Sequence, residues 1–256
     1  MLLAIDIGNT HTVFGVYNKS KLLGNSRVTS FITRTEDEMG ILVKNFCNDL
    51  KIPLSKIKKV GISSVVPNLT DVIYKMSLKY FKINPVIVDS TNSIGINILY
   101  DDPRTVGADR ICNAVAAYSK YKTALIIVDF GTATTFDVVN KNGEYLGGVI
   151  TVGIETSGNE LHRRAALLPK VNLKFPKSVI GKNTSHALQS GILFSALDAM
   201  ESMIKRIKDE LGEKVFVIAT GGFSELMSKH SSLIKKHEPN LVLEGIRIIT
   251  EKVWKN

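Results

Sequence analysis

Two short segments of the 256-residue chain carry the same residue types in the same order, and both have the makings of a phosphate-binding loop. "DIGNTHT" begins at Asp6 and "DFGTATT" at Asp129, an offset of 123 positions (129 minus 6) that aligns Asp6 with Asp129, Gly8 with Gly131 and Thr12 with Thr135. The same offset continues to Val16 with Val139, Leu23 with Leu146 and Gly24 with Gly147. In each copy an aspartate ends an apolar run and a glycine lets the backbone approach a ligand. The small hydroxyl or amide side chains and free N–H groups that follow suit anionic oxygen. A tight hairpin turn also favours Asp and Gly. A turn, however, has no need of a strand-end aspartate, and none at all of two at equivalent places.

A third segment, "YDDPRTVGADR", gathers Tyr100, Arg104, Asp109 and Arg110 around Gly107 in the loop that connects the two copies. Asp109 directly precedes an apolar-periodic helix, where an aspartate ordinarily serves as N-cap. Its surroundings suit a second role, with Asp109 as general base and Arg110 as partner for a carboxylate. An aspartate near its ordinary pKa of about 3.9 is a weak base, yet it can take the proton of an alcohol late in phosphoryl transfer, where positioning supplies most of the rate. Farther on, "ATGGFSEL" ends a strand at Thr220, Gly221 and Gly222. Those glycines fit either a flat base packed on bare backbone or a plain strand-to-helix turn, and both readings stand. Thr184, in "GKNTSHALQSG", falls at the expected N-cap of a long helix.

The elements that must position these residues follow from periodicity. Strands are expected near 2–7, 11–17 and 21–29, a helix over 36–51, then a strand at 58–64, a helix at 68–81 and a strand at 85–89. The second half repeats the order with longer insertions: strands near 124–130, 134–139 and 144–150, helices at 155–166 and 185–211, a strand at 214–220, and helices near 223–236 and 243–255. The expected architecture is therefore α/β: two duplicated domains, 1–115 and 116–256, each a mixed five-stranded sheet flanked by helices. The active site is expected in the cleft between them.

Composition narrows the function classes. The chain is 44% hydrophobic and 22% charged, as ordinary globular proteins are. Its net charge of +9 comes from lysines scattered over polar helix faces without interleaved aromatics, a solvated surface rather than a nucleic-acid footprint. Cys47 and Cys112 have neither metal-ligand nor disulfide-framework spacing, which suits a reducing compartment. No apolar run approaches the roughly 20 residues of a membrane span, so neither membrane nor nucleic acid is expected as a partner and the cytoplasm is the expected location. Other nucleotide and metal motifs fall away. "GKNT" resembles the tail of a P-loop, but Pro176 stands where the required glycine belongs; no G-x-G-x-x-G follows a strand, and the five histidines form no H-E-x-x-H.

The ordered set "DIGNTHTVFG", "SSVVP", "VGADRICNAVAA", "DFGTATTFD", "GGVI", "GKNTSHALQSG" and "TGGFSEL" resembles the type III pantothenate kinases, from Leu3 to about Thr250. "DIGNT" alone is common to the wider acetate-kinase, sugar-kinase and actin superfamily, whose domains are ribonuclease-H-like. The resemblance implies an ATP-dependent phosphorylation of pantothenate, the first step of coenzyme A synthesis. It implies that Asp6, Ile7, Gly8, Asn9, Thr10, His11, Thr12 and Val13 form the first phosphate loop, with Asp6 near Mg²⁺, and that Thr132 joins the nucleotide site. Asp129 would ligate a monovalent cation, K⁺ or ammonium. Tyr100, Gly107, Ala108, Asp109, Arg110 and Thr184 would hold pantothenate, with Asp109 taking the proton of its hydroxyl, and the working unit would be a homodimer paired through the long helix. Two positions depart from the family pattern: His11 stands where Asn is frequent, and Val152 where Pro is. Two other functions share the fold, a kinase of another small hydroxy acid and a non-catalytic transcriptional regulator; the presence of both Asp109 and Asp129 argues against the regulator.

Overall fold

The structure, a computed structural model, describes residues 1–92 and 95–255, and these separate into two compact units. The first comprises Met1–Lys122, Gly143–Tyr145 and Asn240–Asn256, and the second Thr123–Asn142 with Leu146–Pro239. The expected boundary at 115/116 falls inside a helix, and the C-terminal segment counts with the first unit.

The first unit is built on strands β1 (Leu2–Ile7), β2 (His11–Asn18), β3 (Lys21–Thr29), β4 (Lys59–Ser64) and β5 (Val86–Ile87), in the order β3-β2-β1-β4-β5. The β1–β2 and β2–β3 pairs are antiparallel, while β4 runs parallel to both β1 and β5. β1 reads LLAIDI with no alternation because helices cover both faces of the sheet, and Leu3, Ile5 and Ile7 are wholly buried. On one face lie α1 (Glu36–Asp49) and α2 (Pro67–Met76), whose Met39, Val43, Leu69 and Ile73 join the core formed by Ile5, Phe14 and Ile62. A capping box fixes the start of α1: the Thr35 side chain accepts from Glu38 N while Glu38 Oε2 accepts from Thr35 N, worth about 1 kcal/mol. The expected helix at 68–81 is resolved into α2 and a π-helical turn, Ser77–Phe81, that ends on Lys82 in the left-handed region.

The opposite face carries α3 (Ala108–Tyr121) and, after the whole second unit, α7 (Leu241–Val253). These two helices touch backbone to side: a Cβ on Gly245 would lie 2.1 Å from the Cys112 carbonyl oxygen. A short strand β6 (Asn97–Ile98) precedes α3 and pairs in parallel with Glu144 and Tyr145.

The second unit repeats the plan with β7 (Leu125–Phe130), β8 (Ala133–Val139), β9 (Glu144–Val152), β10 (Phe216–Gly221) and β11 (Lys236–His237). Its sheet order is β11-β10-β7-β8-β9, with β6 beyond the first residues of β9. Helices α4 (Ile154–Arg164), α5 (Thr184–Leu211) and α6 (Ser224–His230) pack on it, and Ile192, Leu193, Met200 and Ile204 of α5 meet Val128, Phe136 and Val217. The helix expected over 223–236 stops at His230, because Ser231 leaves the helix and its hydroxyl bonds Glu201; the chain then extends so that Lys236–His237 pairs beside β10.

The duplicated hairpins differ by one residue. Ile7 pairs with Thr12 in the first, but Phe130 pairs with Thr134 in the second. The first loop closes from Gly8 N to His11 O (3.0 Å), and the second from Gly131 N to Ala133 O (3.0 Å). The 123-residue offset therefore holds along β1 and β7 and becomes 122 on β2 and β8 (134 minus 12), so the counterpart of Thr12 is Thr134. Both of these threonines are buried.

Candidate active site

In the first unit the phosphate-type loop is held from behind by a residue that its own motif does not contain. Ser30, just past β3, donates from its hydroxyl to Gly8 O (2.7 Å), shares a hydrogen bond with the Thr12 hydroxyl (2.9 Å), and donates from its backbone N–H to Thr10 O (2.9 Å). Thr12 is thereby committed to bracing the loop, and Ile7 is wholly buried, so these two shape the loop rather than reach a ligand. Asn9 and Thr10 are exposed at the tip, His11 is half-buried, and Val13 pairs with Asp6 across the hairpin.

Asp6 is half-buried at the end of β1, and Ser63 of the adjacent β4 donates to its Oδ1 (3.1 Å). Ser63 is wholly buried and also shares a hydrogen bond with the Cys112 thiol on α3. Burial pushes that thiol well above the usual cysteine range, and the carboxylates of Asp6 and Asp109 push it further. Among the described residues no three His, Cys, Asp or Glu side chains form a metal cluster. A single carboxylate at Asp6 suits Mg²⁺, which commonly binds through one or two protein carboxylates plus substrate phosphates.

Asp109 lies in the first turn of α3, two positions after the N-cap, which is Gly107 rather than Asp109 itself. Its Oδ1 accepts from Arg110 N (2.8 Å) and folds back over Gly107, where a Cβ would come within 2.5 Å of it. Glycine at 107 is what lets the carboxylate sit on the helix N-terminus. Burial raises its pKa above the ordinary aspartate value; the bond from Arg110 N and the Arg110 charge pull the other way without cancelling the effect. Arg110 is 8% exposed, and its guanidinium carbon lies 5.8 Å from the centre of the Tyr145 ring. That ring is 6.3 Å from the ring of Tyr100. Gly107, Ala108, Asp109 and Arg110 thus lie at the start of α3, with Tyr100 linked to Arg110 through the Tyr145 ring, whereas Arg104 is exposed and pairs with Asp102 (2.9 Å). Nothing local in "GEYLGG" signals Tyr145, because its contacts come from pairing with β6.

In the second unit Asp129 is the next-to-last residue of β7, with its carboxylate beside Gly221. Gly221 has φ of +87°, and a Cβ there would lie 2.4 Å from Asp129 Oδ1 and 2.6 Å from Phe130 O. Only glycine allows β10 to pass so close to the aspartate. Thr132 is exposed at the loop tip, and its carbonyl accepts from Gly153 N (3.1 Å) and from the Thr156 hydroxyl (2.7 Å), which ties the loop to the start of α4. Thr184 is the first residue of α5; the N-cap is Asn183, whose side chain accepts from His186 N. Thr184 is exposed at the edge of a 580 Å³ cavity lined mainly by apolar side chains, including Phe136, Val152, Leu161, Leu188 and Met203.

The family model described as "Type III pantothenate kinase" matches residues 2–206. A protein named type III pantothenate kinase from Citrifermentans bemidjiense is 46% identical over 252 residues, covering 98% of this chain and 99% of that one. One of the same name from Myxococcus xanthus is 45% identical over 249 residues, 97% of each chain. Among solved structures, a conserved putative Baf family transcriptional activator from Campylobacter jejuni superposes with a TM-score of 0.60 at 18% identity, covering 99% of this chain and 100% of that one. A putative N-acetylmannosamine kinase from Listeria monocytogenes gives 0.56 at 10% identity over 100% and 99% of the two chains. At such low identity these structures bear on the fold alone. By the family model and by relatives matched over nearly its full length, the chain belongs to the type III pantothenate kinases.

Proposed function

We propose that this enzyme transfers the γ-phosphoryl group of ATP to the primary hydroxyl of pantothenate, giving 4'-phosphopantothenate at the entry to coenzyme A synthesis. The observation that carries the reading is the first turn of α3, where one helix end presents Asp109 and Arg110 together within a chain that matches the family almost end to end. In this reading Arg110 pairs with the pantothenate carboxylate, Tyr100 and the backbone of Gly107 and Ala108 shape the site, and Thr184 makes a further contact. Asp109 accepts the hydroxyl proton as the oxygen attacks phosphorus. Its half-buried carboxylate is less hydrated than a free one, which makes it the better base.

The loop after β1 offers backbone N–H groups and the side chains of Asn9, Thr10 and His11 to the ATP phosphates, and Thr132 contributes from the loop after β7. Mg²⁺ held near Asp6 would neutralise charge on the transferring group. Asp129 is assigned to a monovalent cation, K⁺ or ammonium, and Gly221 fixes the position of its carboxylate.

The enzyme is further proposed to be a homodimer paired through α5. Ala187, Gly191, Ser195 and Ala199 recur every fourth residue on its exposed side, and a Cβ on Gly191 would meet nothing within 4 Å. Its own unit leaves that face open to close approach by a second helix. Sedimentation of the purified protein as a single monomeric species would rule this arrangement out.

The direct test is ADP release with Mg²⁺-ATP and pantothenate in K⁺ and in Na⁺ buffers, repeated with Asp109→Asn. Turnover should require pantothenate, rise in K⁺, and fall by about 10²- to 10⁴-fold in the variant while ATP binding persists. ATP binding without pantothenate-dependent turnover in any cation would discard pantothenate as the acceptor.

A further inference from the structure

We propose that Tyr145 is a positioning residue for the substrate carboxylate, its ring serving as the common support of Arg110 and Tyr100. The inference rests on the reading of Arg110 as the carboxylate partner. Tyr145 belongs to β9 and lies 35 positions beyond Arg110 (145 minus 110), so no helix or loop of its own brings the two together. Its ring does so, 5.8 Å from the Arg110 guanidinium carbon and 6.3 Å from the Tyr100 ring at an interplanar angle of 53°.

The backbone fixes the same geometry. Ile98 pairs with Tyr145, and Leu99 N donates to Tyr145 O at 2.8 Å, so the strand that leads into Tyr100 is pinned to the residue whose ring Tyr100 approaches. Tyr145 is 1% exposed and the ring cannot swing away.

Arg110 is a buried cation, and a buried cation is costly unless its charge is met. Beside the neighbouring Asp109 carboxylate, an aromatic face helps to meet that charge through the ring quadrupole without engaging the planar N–H fork. Bidentate recognition of a carboxylate needs that fork held in one plane. Tyr145 therefore supplies what a carboxylate site requires of its arginine: partial compensation in the empty state and a fixed plane in the bound one. A residue that merely filled the core would show no dependence on the electronics of its ring.

The test varies the ring in the full-length enzyme and reads both substrates. Tyr145→Phe keeps the aromatic face, and its KM for pantothenate should stay within about two-fold of the parent enzyme. Phenylalanines with one, two and three ring fluorines at position 145 weaken the face while nearly preserving shape, so they should fold even if Tyr145→Leu does not. Across that series the KM for pantothenate should climb stepwise to about ten-fold, with kcat and the KM for Mg²⁺-ATP within two-fold throughout. A flat series, or an equal rise for both substrates, would overturn the inference while leaving the pantothenate assignment intact. Absence of pantothenate turnover by the parent enzyme would overturn both.

Discussion

Asp109 stands under two opposed demands. In its proposed role as base it must be ionised, yet burial favours its protonated form and the charged state is held by the backbone N–H groups of Arg110 and of Asp109 itself and by the nearby guanidinium. A carboxyl whose pKa is higher in the folded state binds more protons there than in the unfolded chain. Folding stability from this group is therefore fully present below the ordinary aspartate value of 3.8 and is lost as pH rises through the elevated folded value. Asp109→Asn removes that penalty, so the variant should lose about 10²- to 10⁴-fold in kcat while melting at a temperature no lower than the parent at pH 7, measured by ADP release and calorimetry. The same elevation moves the acid limb of the pH profile: kcat/KM for pantothenate should fall on acidification with a midpoint above 3.8, and a midpoint at or below that value would remove Asp109 from the base role. At this scale the sequence is legible where chemistry is local. "GADR" displays an acid and a cation at a helix start, although the cap proves to be Gly107. Ser30, Ser63 and Tyr145 are not legible, because each acts through partners on other strands that no spacing rule connects.

Among the elements, the hairpins are the most readable part of the chain. β1, β2 and β3 are marked by β-branched and apolar runs with polar turns between them, and they appear within a residue of their expected limits. What residue matching misses is the one-residue contraction of the second loop, since Thr134 and Thr135 are chemically identical and only the pairing register tells which one answers to Thr12. The segment after Gly222 misleads for a related reason. Leu226, Met227, Leu233 and Ile234 suit helical spacing, and an apolar pair every seven residues does not reveal that the second pair feeds an edge strand. Gly221 connects this region to the site. In Gly221→Ala the left-handed backbone costs about 1–2 kcal/mol, and the new methyl would press on Asp129 Oδ1. With Asp129 in its proposed role as cation ligand, the expected result is a lowered melting temperature together with weakened K⁺ activation. A variant with parental K⁺ dependence would separate Asp129 from the cation.

For the molecule as a whole, the consequential fact is the return of α7 to the first unit, which the expected boundary does not foresee because a helical pattern carries no sign of which sheet it covers. The helix lies directly on the strands: a Cβ on Gly61 would meet the Thr250 side chain at 2.0 Å, and one on Gly15 would meet Leu243 at 2.9 Å. Leu241, Leu243, Ile246 and Ile249 are buried, a contribution of roughly 6–12 kcal/mol at 1.5–3 kcal/mol each, comparable to the entire stability of an ordinary domain. A chain ending at Pro239 should therefore lose the structure of its first unit, seen as lost cooperative melting and exposure of apolar surface to dye; a cooperative, parent-like transition would contradict this role for α7. The arrangement also sets a clock. On the ribosome Lys122 is made 118 residues before Asn240 (240 minus 122), which at about 5–20 residues per second is a wait of roughly 6–24 s. Through that interval the open face of β1 and β4 must be shielded, so a newborn chain should be a client of holding chaperones for longer than its modest length suggests.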